Sequence, residues 1–325
     1  MIGNGFPRLL GDVGGTRLRL ALQAGPGEPL TEIEVLQGDD HASLEAALAF
    51  YLDGRRGPRA RSAALGVATA VTGDSVRLTN RDWHFSIAAL QAALGLERLL
   101  VINDFTALAL ALPALGPADL RPVGGGRAVS GQPLALIGPG TGLGVSALLP
   151  DGARWLPLAG EGGHVTLAAA DEREAALIDR LRRRFGHASA ERALSGPGLV
   201  DLRALIAELD GVPAGPLGAA QIVAAARAGT DALSVAAVDA FFALLGGVAG
   251  NLARTLGARG GVYLGGGIVP RFGTLIERSR FRQRFEAKGR FRDYLAAIPT
   301  WVIDAAVPPA LIGAARALDQ ARASG

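Results

Sequence analysis

Two aspartates sit where apolar, strand-like segments end, and both are placed for phosphoryl chemistry. Asp104 closes the run Leu99-Leu100-Val101-Ile102-Asn103 and precedes a helix-like stretch from Phe105 to Leu112. Ligands of open α/β sheets bind at the carboxyl ends of strands. A carboxylate there can accept the proton of a substrate hydroxyl during phosphoryl transfer. The same position also suits a plain helix N-cap, and spacing alone leaves both roles open. Asp12 lies inside the turn Gly11-Asp12-Val13-Gly14-Gly15-Thr16. A carboxylate beside phosphate is repulsive unless a cation separates them, which points to Mg²⁺ held through water. Turn capping is the alternative role for Asp12.

Two further glycine-rich turns follow apolar segments: Gly138-Pro139-Gly140-Thr141-Gly142-Leu143-Gly144 and Gly265-Gly266-Gly267. Glycine lets backbone N–H groups approach an anion closely, and positive φ arranges them as a concave nest. Thr16 and Thr141 add hydroxyl donors. Any one of these turns alone reads as a tight hairpin; the three together, with Asp12 in the first, suit a nucleotide polyphosphate. Glu161 and His164 stand three apart on a glycine-rich loop. With Glu191 they form a set able to bind a polyol through charge-assisted hydrogen bonds, although His164 alone equally reads as a structural histidine. Asn80 and Asn103 are further polar candidates.

Composition removes several other chemistries. The chain has 325 residues, no cysteine and four histidines, so thiol catalysis, disulfides and cysteine zinc sites are excluded and a histidine metal site is disfavoured. Lys288 is the single lysine, and no Walker A lysine or kinase-type strand lysine exists. No serine nucleophile elbow is present. Lys plus Arg is 33 against 30 Asp plus Glu, a formal charge of +3. That is no nucleic-acid footprint, and the runs Arg182 to Arg184 and Arg282 to Arg292 read as solvated faces. The apolar stretch Phe241 to Gly250 is about ten residues, short for a membrane span. No secretory signal is expected before Leu9. Together these features predict a soluble, cytoplasmic protein with no nucleic-acid or membrane partner.

These residues need elements to hold them. At about 150 residues per domain the length suggests two domains. Short strands are predicted around Leu9-Leu10, Leu18–Leu22 and Ile33–Leu36, joined by turn residues. A helix over Ser43 to Leu52, with Ser43 as N-cap, a buried strand over Ala63 to Ala70, a helix over Ser86 to Leu94 and the strand Leu99–Ile102 follow. The order β-β-β-α-β-α-β is that of one ribonuclease-H-like half. Ile137 to Gly142, followed by Val145 to Leu149, echoes the first turn and suggests a second, related half. Helices are then predicted over Asp171–Phe185, Pro197–Leu209, Ala219–Ala228 and Asp231–Leu256. The strands Gly261–Leu264 and Trp301–Ile303 and a helix over Pro309–Ala321 complete the chain.

In order and spacing these motifs resemble the bacterial glucokinases of the hexokinase group, within the acetate kinase, sugar kinase, heat-shock-70 and actin superfamily. The match extends from Leu10–Thr16 through Ile102–Ala107, Gly138–Gly144, Gly160–Val165, Ser189–Arg192 and Leu194–Leu199 to Gly265–Arg271 and Lys288–Phe291. The resemblance implies an α/β protein of two ribonuclease-H-like lobes with a central cleft, the actin-like ATPase fold. The expected division is a small lobe over 1–107 completed by 306–325, and a large lobe over 108–305. It implies Mg-ATP and glucose as substrates, Asp104 as the base toward the sugar 6-hydroxyl, and Asn103, Asp104, Glu161, His164 and Glu191 around the sugar, to which the polar candidate Asn80 is added as substrate-binding. The turns at Gly11–Thr16 and Gly140-Thr141-Gly142 would embrace the phosphates, and Gly265-Gly266 would lie against adenosine. A homodimer without structural zinc is expected. One departure stands at residue 17, where the family usually has Asn and this chain has Arg; Arg17 either assists phosphate binding or points to solvent. Alternative activities are a kinase for another hexose, a phosphatase-like ATPase, or a non-catalytic sugar-binding regulator, which would not need both aspartates. A DNA-binding repressor would need a further domain before Leu9.

Overall fold

The computed structural model describes residues 5–55, 57–79 and 81–323; Asn80 lies outside the described residues. The elements in chain order are β1 (Arg8–Val13), β2 (Arg17–Gln23), β3 (Thr31–Gln37), α1 (Leu44–Asp53), β4 (Ser62–Val67), β5 (Ser75–Arg77), β6 (His84–Ser86), α2 (Ile87–Ala93), β7 (Arg98–Asn103) and α3 (Asp104–Ala111). Then come β8 (Leu120–Pro122), β9 (Leu134–Pro139), β10 (Leu143–Asp151), β11 (Arg154–Gly160), α4 (Glu172–Phe185), α5 (Ala190–Ala193), α6 (Gly196–Asp210), α7 (Ala219–Ala228) and α8 (Ala232–Leu256). The chain ends with β12 (Gly261–Leu264), α9 (Leu275–Arg278), α10 (Phe281–Glu286), α11 (Arg292–Ala296), β13 (Thr300–Ile303) and α12 (Pro309–Ala323). Two compact units form, one from residues up to Gly116 with 152–159 and the chain from Ala305, the other from 117–151 and 160–304.

In the first unit the sheet order is β3-β2-β1-β4-β7. β1 runs antiparallel to β2 and parallel to β4, and β4 is parallel to β7. Side chains alternate across a strand, so Leu9 and Val13 pack with Leu48, Tyr51 and Leu90 while Leu10 and Ala64 pack with Leu311, Ala314 and Leu318. Both faces are thus covered by helices, and β4 is buried along its whole length for that reason, while β1 carries Arg8 and Asp12 beside its apolar Leu9, Leu10 and Val13. Ser43 caps α1 as expected, its Oγ accepting from Ala46 N at 3.1 Å.

The second sheet runs β11-β10-β9-β12-β13-β8. β9 is antiparallel to β10 and parallel to β12, and β12 is parallel to β13. Apart from the added β8, this is the strand order of the first sheet repeated, so the echo between Leu10–Thr16 and Ile137–Gly142 marks the same hairpin in two related α/β units. The core of the second unit gathers on α8, whose Phe241, Phe242 and Leu245 are fully buried with Phe272, Phe281 and Phe285.

Several expectations need correction. The apolar stretch Phe241 to Gly250, read as short for a membrane span, lies within α8, the helix expected over Asp231–Leu256; the best window of that helix has a mean hydropathy of 2.0, enough by length and composition to cross a membrane. Its burial explains the apolarity: 61% of that window is buried inside the protein. The strand predicted to reach Ala70 stops at Val67. The hairpin β5–β6 was not predicted, because strands of three residues are too short to display a period of two. The basic run after Arg282 is not a solvated face throughout. The Arg282 side chain is 14% exposed and donates to the carbonyls of Leu295, Ala296 and Ile298. Arg284 pairs with the buried Glu174 at 2.6 Å. Arg182, Arg183 and Arg184 are largely exposed, as expected, and pair with Asp179 and Asp201.

Candidate active site

The candidate residues assemble in two groups, one within each unit. In the first unit, β1 ends in the turn that leads into β2, closed by Gly14 N donating to Arg17 O at 3.0 Å. Val13 O accepts from Ala68 N at 3.1 Å, which ties this turn to the end of β4. β4 in turn pairs with β7, Val67 opposite Asn103. At Gly66 a Cβ would stand 3.4 Å from Asp104 Cα and 3.7 Å from Gly11 O. The parallel register therefore brings the glycine turn and Asp104 to neighbouring strand ends.

The capping role left open for Asp104 belongs to its neighbour. Asn103 Oδ1 accepts from Phe105 N at 2.9 Å and Thr106 N at 3.2 Å, while Asn103 Nδ2 donates to Thr69 O at 3.2 Å. Asp104 is the first residue inside α3, and its Oδ1 also accepts from Phe105 N at 2.8 Å. A carboxylate at a helix N-terminus is held by the end dipole and the exposed N–H groups.

Asp12 is partly buried, its side chain 15% exposed, and its Oδ2 accepts from Arg19 Nη1 at 2.8 Å. Burial pushes its carboxyl above the usual carboxylate range, and Arg19 pulls the other way. Arg19 was not among the sequence candidates. The signal was there: a tight turn puts Asp12 opposite Arg19 in the β1–β2 register. Arg17 is exposed, and its backbone rather than its side chain closes the turn. Among the described residues no group of three or more His, Cys, Asp or Glu could hold a metal. A Mg²⁺ that arrives with nucleotide phosphates and its own waters needs only one or two protein carboxylates. Asp12 beside the glycine turn has the hard oxygen donor for that, in competition with Arg19.

In the second unit, Glu161, His164 and Glu191 come together as expected. His164 lies in a short 3₁₀ turn, Gly162–His164, and Glu191 in α5. His164 Nε2 is 3.8 Å from Glu161 Oε2, and Nδ1 is 4.0 Å from Glu191 Oε1. Glu191 Oε2 accepts from Leu143 N at 2.9 Å, fastening the set to the second glycine turn. Glu161 and His164 are 66% and 57% exposed, so their polar atoms are available to a ligand. Gly140 O accepts from Gly196 N at 2.9 Å, and Gly265 N donates to Ile137 O at 2.9 Å. The second and third turns therefore abut.

Positive φ is not how most of these turns work, contrary to expectation. Of the candidate glycines only Gly266 adopts it, at +78°. A Cβ there would also fall 2.3 Å from Pro139 O, so neither the backbone angle nor the space admits another residue.

The glucokinase family model matches residues 9–321. A glucokinase from Aromatoleum aromaticum (strain EbN1) is 56% identical over 321 residues, covering 98% of this chain and 96% of that one. A glucokinase from Chromobacterium violaceum is 52% identical over 303 residues, covering 93% and 87% of the two chains. Among solved structures, a glucokinase from an Antarctic psychrotroph superposes with a TM-score of 0.87 at 35% identity, over 97% of this chain and 99% of that one.

Proposed function

Because this chain belongs to the glucokinase family, we propose that it transfers the γ-phosphoryl group of ATP to the 6-hydroxyl of glucose, with Asp104 as the base. The observation that carries the assignment of Asp104 is its place: the first residue of α3, at the end of β7, two strands from the glycine turn of β1, with capping already supplied by Asn103.

In this reading Asn103, Asp104, Glu161, His164 and Glu191 hold the sugar hydroxyls, and Asn80 is a further polar candidate for the same role. As the sugar oxygen bonds to phosphorus and the bond to ADP breaks, the Asp104 carboxylate takes the hydroxyl proton, a contribution of about 10²–10⁴ in rate. Within the turns Gly11 to Thr16 and Gly140 to Gly142, Gly14 N and Gly140 N are engaged by Arg17 O and Gly142 O. The N–H groups of Gly15, Thr16, Thr141 and Gly142, with the Thr16 and Thr141 hydroxyls, therefore face the phosphates and offset charge on their oxygens. Gly265 and Gly266 give a side-chain-free surface for the adenosine. Bound Mg²⁺ supplies positive charge that screens the transferring phosphoryl oxygens. Asp12 would accept hydrogen bonds from its waters. The two units correspond to the two lobes of the family, and the working form is a cytoplasmic homodimer.

Purified protein with Mg-ATP and glucose, followed by glucose 6-phosphate formation, tests the reading. Mannose, fructose and glucosamine run in parallel. Glucose turnover that collapses in Asp104→Asn is the expected result. Turnover of another hexose with none of glucose moves the assignment to that sugar. Glucose binding without turnover of any sugar would leave a regulator in place of an enzyme.

A further inference from the structure

We infer that Arg81 is a positioning residue for phosphoryl transfer, holding the phosphate turn Gly14–Thr16 in its binding conformation by gripping the Gly15 carbonyl. This rests on the reading of that turn as the phosphate site.

Arg81 lies 66 residues from Gly15 in sequence, at the tip of the β5–β6 hairpin. That tip is itself closed, Leu78 N donating to Trp83 O at 2.9 Å. Arg81 Nε donates to Gly15 O at 2.9 Å, and one terminal nitrogen pairs with Asp39. The guanidinium carbon sits 4.6 Å from the centre of the Trp83 ring. Its other surroundings include Gly38, where a Cβ would stand 2.7 Å from the guanidinium carbon. Gly38 N meanwhile donates to Thr16 O at 2.8 Å. The carbonyls of Gly15 and Thr16 are therefore both held from one side by Arg81 and the segment it packs on. In a trans peptide the N–H points opposite the C=O, so gripping Gly15 O fixes where Thr16 N–H points.

A planar, always-charged fork engaged at two edges and stacked on an indole is work that lysine cannot reproduce. Only 13% of the side chain is exposed, so the contact is built rather than incidental. The same hairpin tip also reaches the sugar candidates. Thr79 Oγ1 donates to Thr69 Oγ1 at 3.2 Å, and Thr69 O accepts from Asn103 Nδ2. Asn80, immediately before Arg81, belongs to the expected sugar set. The tip is thus a strut between Asn103 at the end of β7 and Gly15 at the end of β1, and Arg81 is its phosphate-side anchor.

The test is Arg81→Ala and Arg81→Lys, with steady-state kinetics for both substrates and calorimetric titration of Mg-ADP. Arg81→Ala is expected to weaken Mg-ADP and raise the KM for ATP at least tenfold, with the KM for glucose and kcat within threefold. Arg81→Lys keeps charge and bulk but loses the Nε donor; it is expected to raise the KM for ATP at least fivefold, and it serves if the alanine variant does not fold. Unchanged Mg-ADP affinity in a folded variant overturns the inference. So does an equal rise in both KM values. If wild-type protein binds Mg-ADP but phosphorylates no glucose, the activity assignment fails, while the titration still decides the role of Arg81.

Discussion

Asp12 and Arg19 face each other across the β1–β2 hairpin, Arg19 Nη1 2.8 Å from Asp12 Oδ2, at the mouth of the first glycine turn. The pair neutralises a partly buried carboxylate that would otherwise repel nucleotide phosphates. Burial outweighs Arg19, however, and holds the Asp12 carboxyl above the usual carboxylate range.

The pH consequence follows from the sign of that shift. A carboxyl whose folded pKa is raised binds protons more readily when folded, so its contribution to stability falls as pH rises from the unfolded value through the folded one. At neutral pH the ionised Asp12 therefore costs stability. Asp12→Asn should keep or raise the Tm at pH 7 while lowering kcat/KM for Mg-ATP about 10–100-fold, the range for groups acting on a metal through its outer shell. A lower Tm with intact kinetics would reverse both parts.

Asp104→Asn should lower kcat by about 10²–10⁴ while glucose still binds. α3 keeps its cap because Asn103 supplies it, so melting temperature should change little. Fluorescence or calorimetric glucose titration beside the kinetics separates loss of the base from loss of the site.

Glu191→Gln tests the second group. Glu191 Oε2 accepts from Leu143 N while Oε1 faces His164. The amide keeps only one acceptor and no charge. Charged hydrogen bonds exceed neutral ones by about 1.4 kcal/mol, so the KM for glucose should rise roughly tenfold, with a smaller change in kcat. An unchanged glucose KM would remove Glu191 from the sugar set.

Stability of the second unit can be probed at Glu174, which is 3% exposed and whose Oε2 accepts from Arg284 NH2 at 2.6 Å and Ala170 N at 2.8 Å. Arg284→Met strands a buried carboxylate and should cost about 3–5 kcal/mol in urea unfolding. The double change Glu174→Leu with Arg284→Met should cost less, since no uncompensated charge then remains. Equal losses would show that packing rather than charge dominates there.

Much of this molecule was legible in one dimension. Helix ends carry local chemistry: Ser43 and Asp231 at N-caps and Gly257 in the left-handed conformation at a C-terminus were written where the helices begin and end. The second and third glycine turns follow the apolar runs of β9 and β12, and the first follows the shorter Leu9-Leu10. Glu161 and His164 meet because they are three apart in a single turn, and Asp12 meets Arg19 because a tight hairpin sets the register. By itself the sequence determined the longer helices and strands, the three glycine turns, the echo between the two halves and the resemblance to the family; the short hairpin β5–β6 escaped it. Only the tertiary structure decided which distant groups share a neighbourhood. Parallel pairing of β1, β4 and β7 carries Asp104 to the neighbourhood of Gly11, a relation that no local pattern encodes. Arg81 reaches Gly15, and Arg284 neutralises Glu174 at a separation of 110 residues. Such contacts depend on how whole sheets and helices pack. Local propensity is blind to them, because a side chain's partner across the core is chosen by burial and geometry rather than by its neighbours in the chain.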